Sequence, residues 1–297
     1  MGLEKEQGQA GQEQAGQGQA GQGQGQAGQG LLEKWDGHTH TKFCKHGHPD
    51  ELSLYLDRAL AQGFTRYSVT EHPPLPAAWV DDEVLMAELA MDLSELPAYM
   101  EYVTEHQKRY EGRLDVRLGL EVDYLDGAEA FTRSFLEPWL PQLEDVIVSV
   151  HYLEGKGGMR CIDYKPSDFE TNLLSYYGTM ERVVDEYFNH VERAIALAAT
   201  LPGTRRIGHI NLIKKFQKAL PPIDEAQVRE RLEAILPLLV KSGVGLDINT
   251  AGLRVATCGE VYVPDWLVRD ALAAGVQCVY GSDSHKSEQV GFGWDAV

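Results

Sequence analysis

VRLGLEVDY, residues 116–124, is an apolar run with a glutamate set inside it. The run reads as a β-strand, and a carboxylate at Glu121 is costly to bury there unless something positive compensates it. Six further runs of this kind surround it: WDGHTH (35–40), FTRYSVTEH (64–72), DVIVSVHYL (145–153), RRIGHINL (205–212), GVGLDINT (243–250) and GVQCVYGSDSH (275–285). Helical patterns separate them. PDELSLYLDRALAQG (49–63) opens on a Pro-Asp start signal, ends at Gly63 and places Leu52, Leu56, Ala59 and Leu60 on one face. Residues 180–200 and 226–242 repeat the apolar periodicity, the second stretch stopped by Gly243. Alternation of strand and helix predicts an α/β fold with a parallel sheet, and seven units favour a closed or nearly closed TIM-like barrel. The C-terminal ends of the strands carry the chemistry in such barrels.

Polar residues at those ends form a pattern. His38, His40, His46, His72, Glu121, His151, His209, Asp283 and His285 mostly follow an apolar run, and they include seven of the chain's ten histidines. His38 and His40, two apart in an extended segment, point the same way and can share one ion. Asp283 and His285 repeat that spacing at the last strand. Any one of these residues alone reads as a packed histidine, an exposed turn or an ion pair. Together they predict a multinuclear metal site at one mouth of the barrel. Imidazole and carboxylate suit zinc, iron and manganese alike. His48 is a weaker ligand candidate, and His106 and His190 read as surface or packing residues.

Residues 1–30 are almost entirely Gly, Gln and Ala and have little to bury, which predicts a disordered tail before a folded region at 31–297. Two G-x-G-x-x-G matches in that tail lack the flanking strand and helix that dinucleotide binding requires. With 45 acidic and 27 basic residues the formal charge is −18, which argues against nucleic acid or an anionic membrane as partner. No apolar stretch approaches the ~20 residues that span a bilayer, and no apolar signal region opens the chain. Cys44, Cys161, Cys258 and Cys278 show no C-x-x-C pairing, so a reduced, cytoplasmic chain is expected. The spacing is silent on oligomeric state.

DGHTH with His46 eight residues after His38, then TEHPPLP, GLEVDY, SVHYL, RIGHINLIKKF, LDINTAGLR and GSDSH, spread over residues 35–291, closely resemble the PHP (polymerase and histidinol phosphatase) superfamily and its monofunctional histidinol-phosphatase branch. The resemblance implies a distorted (β/α)7 barrel with three divalent metal ions. One ion would be held by His38, His40, Glu121 and Asp283, a second by Glu121, His151 and His209, and a third by His46, His72 and His285. It also implies hydrolysis of L-histidinol phosphate to L-histidinol and phosphate in histidine biosynthesis, by attack of a metal-bridging hydroxide. The Gly/Gln tail is foreign to the family pattern, and the chain stops soon after GSDSH, so a final helix is expected to be short or absent.

Neither a C-x5-R phosphatase loop nor a Walker A motif occurs, in keeping with a metal-only route. Arg254, after the sixth strand in NTAGLR, is the foremost candidate for gripping phosphate, because its planar fork suits phosphate oxygens. That strand supplies no metal ligand. Arg160, Lys214 and Lys215 are further candidates. Asp283, His285 or a water could protonate the leaving group, and Asp283, His285 and Arg254 make up the expected catalytic set. Two other readings remain open at this point. One is a PHP phosphoesterase acting on nucleotides or other small phosphate esters; the other is a metal-stabilised scaffold without activity.

Overall fold

The computed structural model describes residues 32–297; the tail expected over 1–30 lies outside the described residues. In chain order the main elements are β1 (Trp35–Asp36), α1 (Leu52–Ala61), β2 (Arg66–Glu71), α2 (Glu83–Leu89), α3 (Leu96–Tyr110), β3 (Asp115–Asp123), α4 (Glu129–Leu136), β4 (Asp145–Ser149), β5 (Tyr152–Gly155), β6 (Gly158–Cys161), α5 (Met180–Ala198), β7 (Thr204–Ile207), α6 (Glu225–Ser242), β8 (Gly245–Asn249), α7 (Asp265–Ala273) and β9 (Cys278–Gly281). Seven of the strands pair side by side in the order β1-β2-β3-β4-β7-β8-β9, every pair parallel. The first and last segments meet as well. Gly37 N–H donates to Tyr280 O, Asp283 N–H to His38 O and His40 N–H to Ser284 O, each at 2.8 Å. These bonds close the sheet into a distorted (β/α)7 barrel.

Local chemistry sets the helix limits. Asp224 caps α6 by accepting from Ala226 N–H, and Gly243 ends it with φ 67°. Thr179 caps α5 in the same way through Arg182 N–H. An N-cap of this kind contributes about 1 kcal/mol. On α1 the buried residues are Leu52, Tyr55, Leu56 and Ala59, while Leu60 is half-buried. These helix faces pack on the outside of the barrel and form one continuous core with the outward side chains of the strands, such as Val69, Val122 and Val148.

The inside of the barrel is polar. Arg206, fully buried, reaches Asp145 Oδ2 at 3.0 Å and Gly37 O at 2.7 Å. Trp35 Nε1 donates to Ser68 Oγ at 2.8 Å. Above this floor, toward the C-terminal strand ends, sit the histidines and carboxylates.

Two expectations need correction. DVIVSVHYL is not one strand: β4 ends at Ser149, and Tyr152 begins the antiparallel β5–β6 hairpin. The chain leaves the barrel at His151 because Tyr152 and Cys161 belong to a second apolar cluster with Val80, Leu85 and Leu125. WDGHTH contributes only Trp35–Asp36 to the regular sheet, and its remainder pairs across the seam. Among the described residues, β9 is followed by two three-residue turns, Ser287–Gln289 and Trp294–Ala296. This turn-rich segment covers the seam, with Trp294 edge-on to Phe64 at 5.4 Å and Tyr280 at 5.0 Å. Both Asp36 carboxylate oxygens are used here, by Ser282 N–H at 2.9 Å and Gly291 N–H at 3.2 Å.

Candidate metal centre

Each strand end delivers its side chain by a local device. Ligand candidates at the ends of β7 and β9 sit on turned backbone: His209 has φ 21° and Asp283 φ 53°, both positive for a residue with a Cβ. Such conformations cost about 1–3 kcal/mol and persist where surrounding structure enforces them. Gly281 lets β9 press against β1 and β8, since a Cβ there would stand 2.7 Å from His38 Cβ and 2.2 Å from Asp247 Oδ1.

All nine predicted metal ligands converge on one end of the barrel. Glu121 lies in the middle, 1% exposed. Its Oε2 is 3.0 Å from His38 Nε2, 3.4 Å from His40 Nε2 and 3.4 Å from His72 Nδ1. Its Oε1 is 2.8 Å from His209 Nε2 and 3.7 Å from His151 Nε2. Asp283 Oδ1 is 3.4 Å from His40 Nε2 and 3.9 Å from His38 Nε2. At the rim, His46 Nε2 and His285 Nε2 stand 3.1 Å apart.

The donor chemistry fits cations. Two ligands on one tetrahedral zinc are about 3.4 Å apart, and the separations above bracket that value. The tautomers point the same way. His46 Nδ1 donates to Glu88 O at 2.7 Å and His285 Nδ1 to Asp283 O at 3.1 Å. Their Nε2 atoms therefore face each other across the rim. His151 Nδ1 donates to Asp123 Oδ1 at 2.6 Å, and its Nε2 stands 3.1 Å from His209 Nε2. His38 Nε2 and His40 Nε2 are buried and face carboxylates alone, His38 toward Glu121 at 3.0 Å and His40 toward Glu121 and Asp283 at 3.4 Å. Imidazole nitrogens and carboxylates crowded in this way are suited to share a cation.

Electrostatics distribute protons unevenly over the cluster. Burial opposes a charged His38, but the carboxylates of Glu121, Asp247 and Asp283 hold it well above the ordinary histidine range. Burial pushes His72 and His285 well below that range, and the charge on His40 adds to the effect. Burial would raise Glu121, yet His38, His72 and a hydrogen bond from His209 hold its carboxyl far below the usual value.

A set of supporting residues went unassigned in the sequence. Asp247 Oδ2 accepts from His38 Nδ1 at 2.7 Å, Asp123 from His151 as above, and Glu71 Oε1 from His40 Nδ1 at 3.2 Å. Ser149 Oγ donates to Glu121 Oε1 at 2.6 Å. Carboxylates that orient the far nitrogen of a ligating histidine are the usual outer layer of a metal site. Their sequence signal was the same as Glu121's: an acid inside an apolar strand.

A cleft of about 440 Å³ opens over the cluster, walled by Leu85, Tyr152, Tyr164, Leu212 and Tyr262. Among the basic candidates, Lys215 and Arg254 line it. Lys215 Nζ is 2.8 Å from Asp163 Oδ2. Arg254 is more committed than expected. Nη1 donates to Ser282 O at 2.7 Å and Nη2 donates to Asp283 O, so the guanidinium clamps the turn that carries Asp283. Two other candidates stand outside the cleft. Arg160 folds back onto Lys156 O, and Lys214 Nζ is tied to Glu260 at 2.7 Å and Glu225 at 2.8 Å. His48 points away and pairs with Asp50 at 2.7 Å. His106 and His190 are both buried packing residues, on α3 and α5.

Comparison with known proteins agrees with this arrangement. The PHP domain family matches residues 36–251. A Bacillus subtilis (strain 168) protein named histidinol-phosphatase is 36% identical over 265 residues, covering 89% of this chain and 98% of the relative. The crystal structure of hisK from Listeria monocytogenes is 37% identical and superposes with a TM-score of 0.83, covering 88% of this chain and 99% of that one. A Lactococcus lactis histidinol phosphate phosphatase, solved with zinc, L-histidinol and phosphate, shares the fold at 20% identity and TM-score 0.65, over 86% of this chain and 88% of that one. The chain belongs to the PHP domain family, in its histidinol-phosphatase branch.

Proposed function

We propose that this protein is a histidinol-phosphatase, hydrolysing L-histidinol phosphate to L-histidinol and phosphate with the help of three divalent cations. The observation that carries this reading is the convergence of nine His, Glu and Asp donors beneath a cleft sized for a small molecule, in a chain 36% identical to a histidinol-phosphatase. His38, His40, Glu121 and Asp283 would hold one cation, Glu121, His151 and His209 a second, and His46, His72 and His285 a third. When bound, such cations supply Lewis acidity to phosphoryl oxygens and bring water acidity toward neutral pH.

The chain's own residues do the remaining work. Glu121 presents its two oxygens to different groups of histidines, so a single rigid carboxylate fixes the spacing of two ligand sets. Asp247, Asp123 and Glu71 accept from the Nδ1 atoms of His38, His151 and His40, which turns the Nε2 of each imidazole inward, where it would meet a cation. Lys215 brings a cationic nitrogen to the cleft wall, where it would bind an anionic ester; burial opposes its charge, but Asp163 keeps it protonated. Arg254 holds the Asp283 turn in place and lines the same wall. The aromatic and aliphatic walls would pack against the organic part of a bound ester.

The test is turnover of histidinol phosphate by protein loaded with zinc, manganese or iron, against a panel of nucleotides and simple phosphate monoesters. Strong preference for histidinol phosphate is expected. Equal turnover on every ester would sink the assignment, as would full metal occupancy with no turnover.

A further inference from the structure

Four carboxylates line the cleft, and three of them are committed. Glu121 and Asp283 belong to the proposed ligand set, and Asp163 Oδ2 holds Lys215 Nζ at 2.8 Å. The fourth is Glu88, exposed at the cleft wall. Among the described residues its carboxylate has no hydrogen bond and no ion pair. Lysines on the loop of His46, whose ring reaches the Glu88 backbone, are engaged elsewhere: Lys42 with Glu51 at 2.9 Å and Lys45 with Glu95 at 2.6 Å. Lys165 donates to the Tyr164 hydroxyl at 2.5 Å and lies over that ring at 4.1 Å.

The position of Glu88 is built rather than incidental. Leu85, Glu88 and Leu89 all line the cleft, at the i, i+3, i+4 spacing that shares one face of α2. Asp82 caps that helix by accepting from Val84 N–H and Leu85 N–H, each at 3.0 Å. Val80, just before it, bridges to Met159 of β6. At the other end Glu88 O accepts from His46 Nδ1 at 2.7 Å. The helix face that carries the carboxylate is thus tied to the hairpin on one side and to the rim of the metal centre on the other.

An unpaired carboxylate held beside a phosphate site selects among esters. It repels one whose only charge is the phosphate and attracts one that also bears a positive group. Neither base of the cleft offsets it, since Lys215 is held by Asp163 and Arg254 by Ser282 O and Asp283 O. We propose that Glu88 is the specificity-determining residue of this cleft and receives the cationic end of the substrate, an ammonium or imidazolium on the molecule that bears the phosphate. This rests on the proposed function and adds the group that separates histidinol phosphate from other small phosphate esters. Tyr152 and Tyr262 also line the cleft and suit the apolar stretch between the two charges.

The test uses full-length, metal-loaded protein and two esters: histidinol phosphate, which carries an ammonium group, and p-nitrophenyl phosphate, which carries no cation. Glu88→Gln keeps the size of the side chain and removes its charge, and Glu88→Lys reverses the charge. Glu88→Gln should raise KM for histidinol phosphate by about 5–30-fold, with a smaller effect on kcat. Its kcat/KM for p-nitrophenyl phosphate should rise, because a repulsion has been removed. Glu88→Lys should move both values further in the same directions, and Glu88→Asp should retain part of the wild-type preference. A merely structural role would lower turnover of both esters together. Parallel losses on the two esters, or an unchanged ratio of their kcat/KM values, would overturn the Glu88 assignment and leave the proposed function standing. A wild type that does not prefer histidinol phosphate to p-nitrophenyl phosphate would overturn both.

Discussion

Replacing Asp247 with Asn probes how far the outer layer controls the metal centre. Asp247 is fully buried on β8, and its Oδ2 accepts from His38 Nδ1 at 2.7 Å, Asn249 Nδ2 at 3.1 Å and His209 N–H at 3.3 Å. Asn keeps the shape and an acceptor oxygen but loses the charge. A hydrogen bond to a charged group contributes about 1.5–3 kcal/mol and a neutral one about 1, so the change costs about 0.5–2 kcal/mol, or roughly 2–30-fold in affinity. A wrongly oriented amide adds to this. With its NH2 toward His38 Nδ1 it would move the imidazole proton to Nε2 and aim an N–H at Glu121. Outer-layer partners of metal-bound histidines commonly matter by about 10–100-fold, which is consistent. The expected result is cation binding weakened by about tenfold to a hundredfold at the His38 position. Competition with a chromophoric chelator measures it. Activity on histidinol phosphate should fall in parallel at limiting metal and recover substantially at saturating metal. Unchanged affinity, or lost activity that excess metal does not restore, would refute the account of Asp247 as an orienting group.

Four further outcomes are expected. Glu121→Gln should remove about two of the three proposed cations, because both oxygens of Glu121 serve ligand groups; elemental analysis with unchanged stoichiometry would defeat that assignment. Lys215→Met should raise KM for the phosphate ester by roughly 10–100-fold, the size of one hydrogen bond to a charged group, with a smaller effect on kcat; an unchanged KM would remove Lys215 from the site. Burial pushes the Asp163 carboxyl up, but Lys215 and His151 outweigh it and hold the group well below its ordinary value. A depressed folded pKa stabilises above the unfolded value of about 3.9 and is lost as pH falls through the folded one. The stability gap between wild type and Asp163→Asn, followed by thermal denaturation at equal metal loading, should therefore narrow below about pH 4, and a pH-independent gap would contradict this. Deleting residues 1–30 should leave turnover intact; a large drop would show that the Gly/Gln segment takes part.

The barrel and the polar cluster at its mouth were legible because burial made their residues conspicuous. Glu121, His151 and His209 are polar residues in runs that are otherwise apolar, and such intrusions need a reason. The sequence could not reveal where those runs stop. DVIVSVHYL has unbroken strand character, and only packing of Tyr152 and Cys161 into the second cluster shows that it turns at His151. Nor could it rank Lys214 against Lys215. The two are adjacent on a short turn, and the difference lies in partners distant in sequence: Glu260 and Glu225 hold one away, while Asp163 holds the other at the cleft. Arg254 lines the cleft, but its grip on two backbone carbonyls depends on the fold of the Asp283 turn and could not be read from sequence. Asp123 and Asp247 sat in quoted runs without a role, since choosing an orienting carboxylate requires knowing which histidine it faces.

The seam that closes the barrel has a consequence for folding. His38 and His40 lie on one side of it and Asp283 and His285 on the other, joined by backbone bonds between residues some 245 positions apart, as in Asp283 N–H to His38 O. Contacts so distant in sequence come late, because a long chain must first be closed into a loop. The strand on one flank is only two residues long, so the sheet itself contributes little to holding the ends together. A cation bound by His38, His40 and Asp283 would act as a clasp across that gap, and its binding would stabilise the folded chain by about 2.7 kcal/mol at a hundred times its Kd. Supply of metal would then govern how long the closed barrel survives as well as how fast it works.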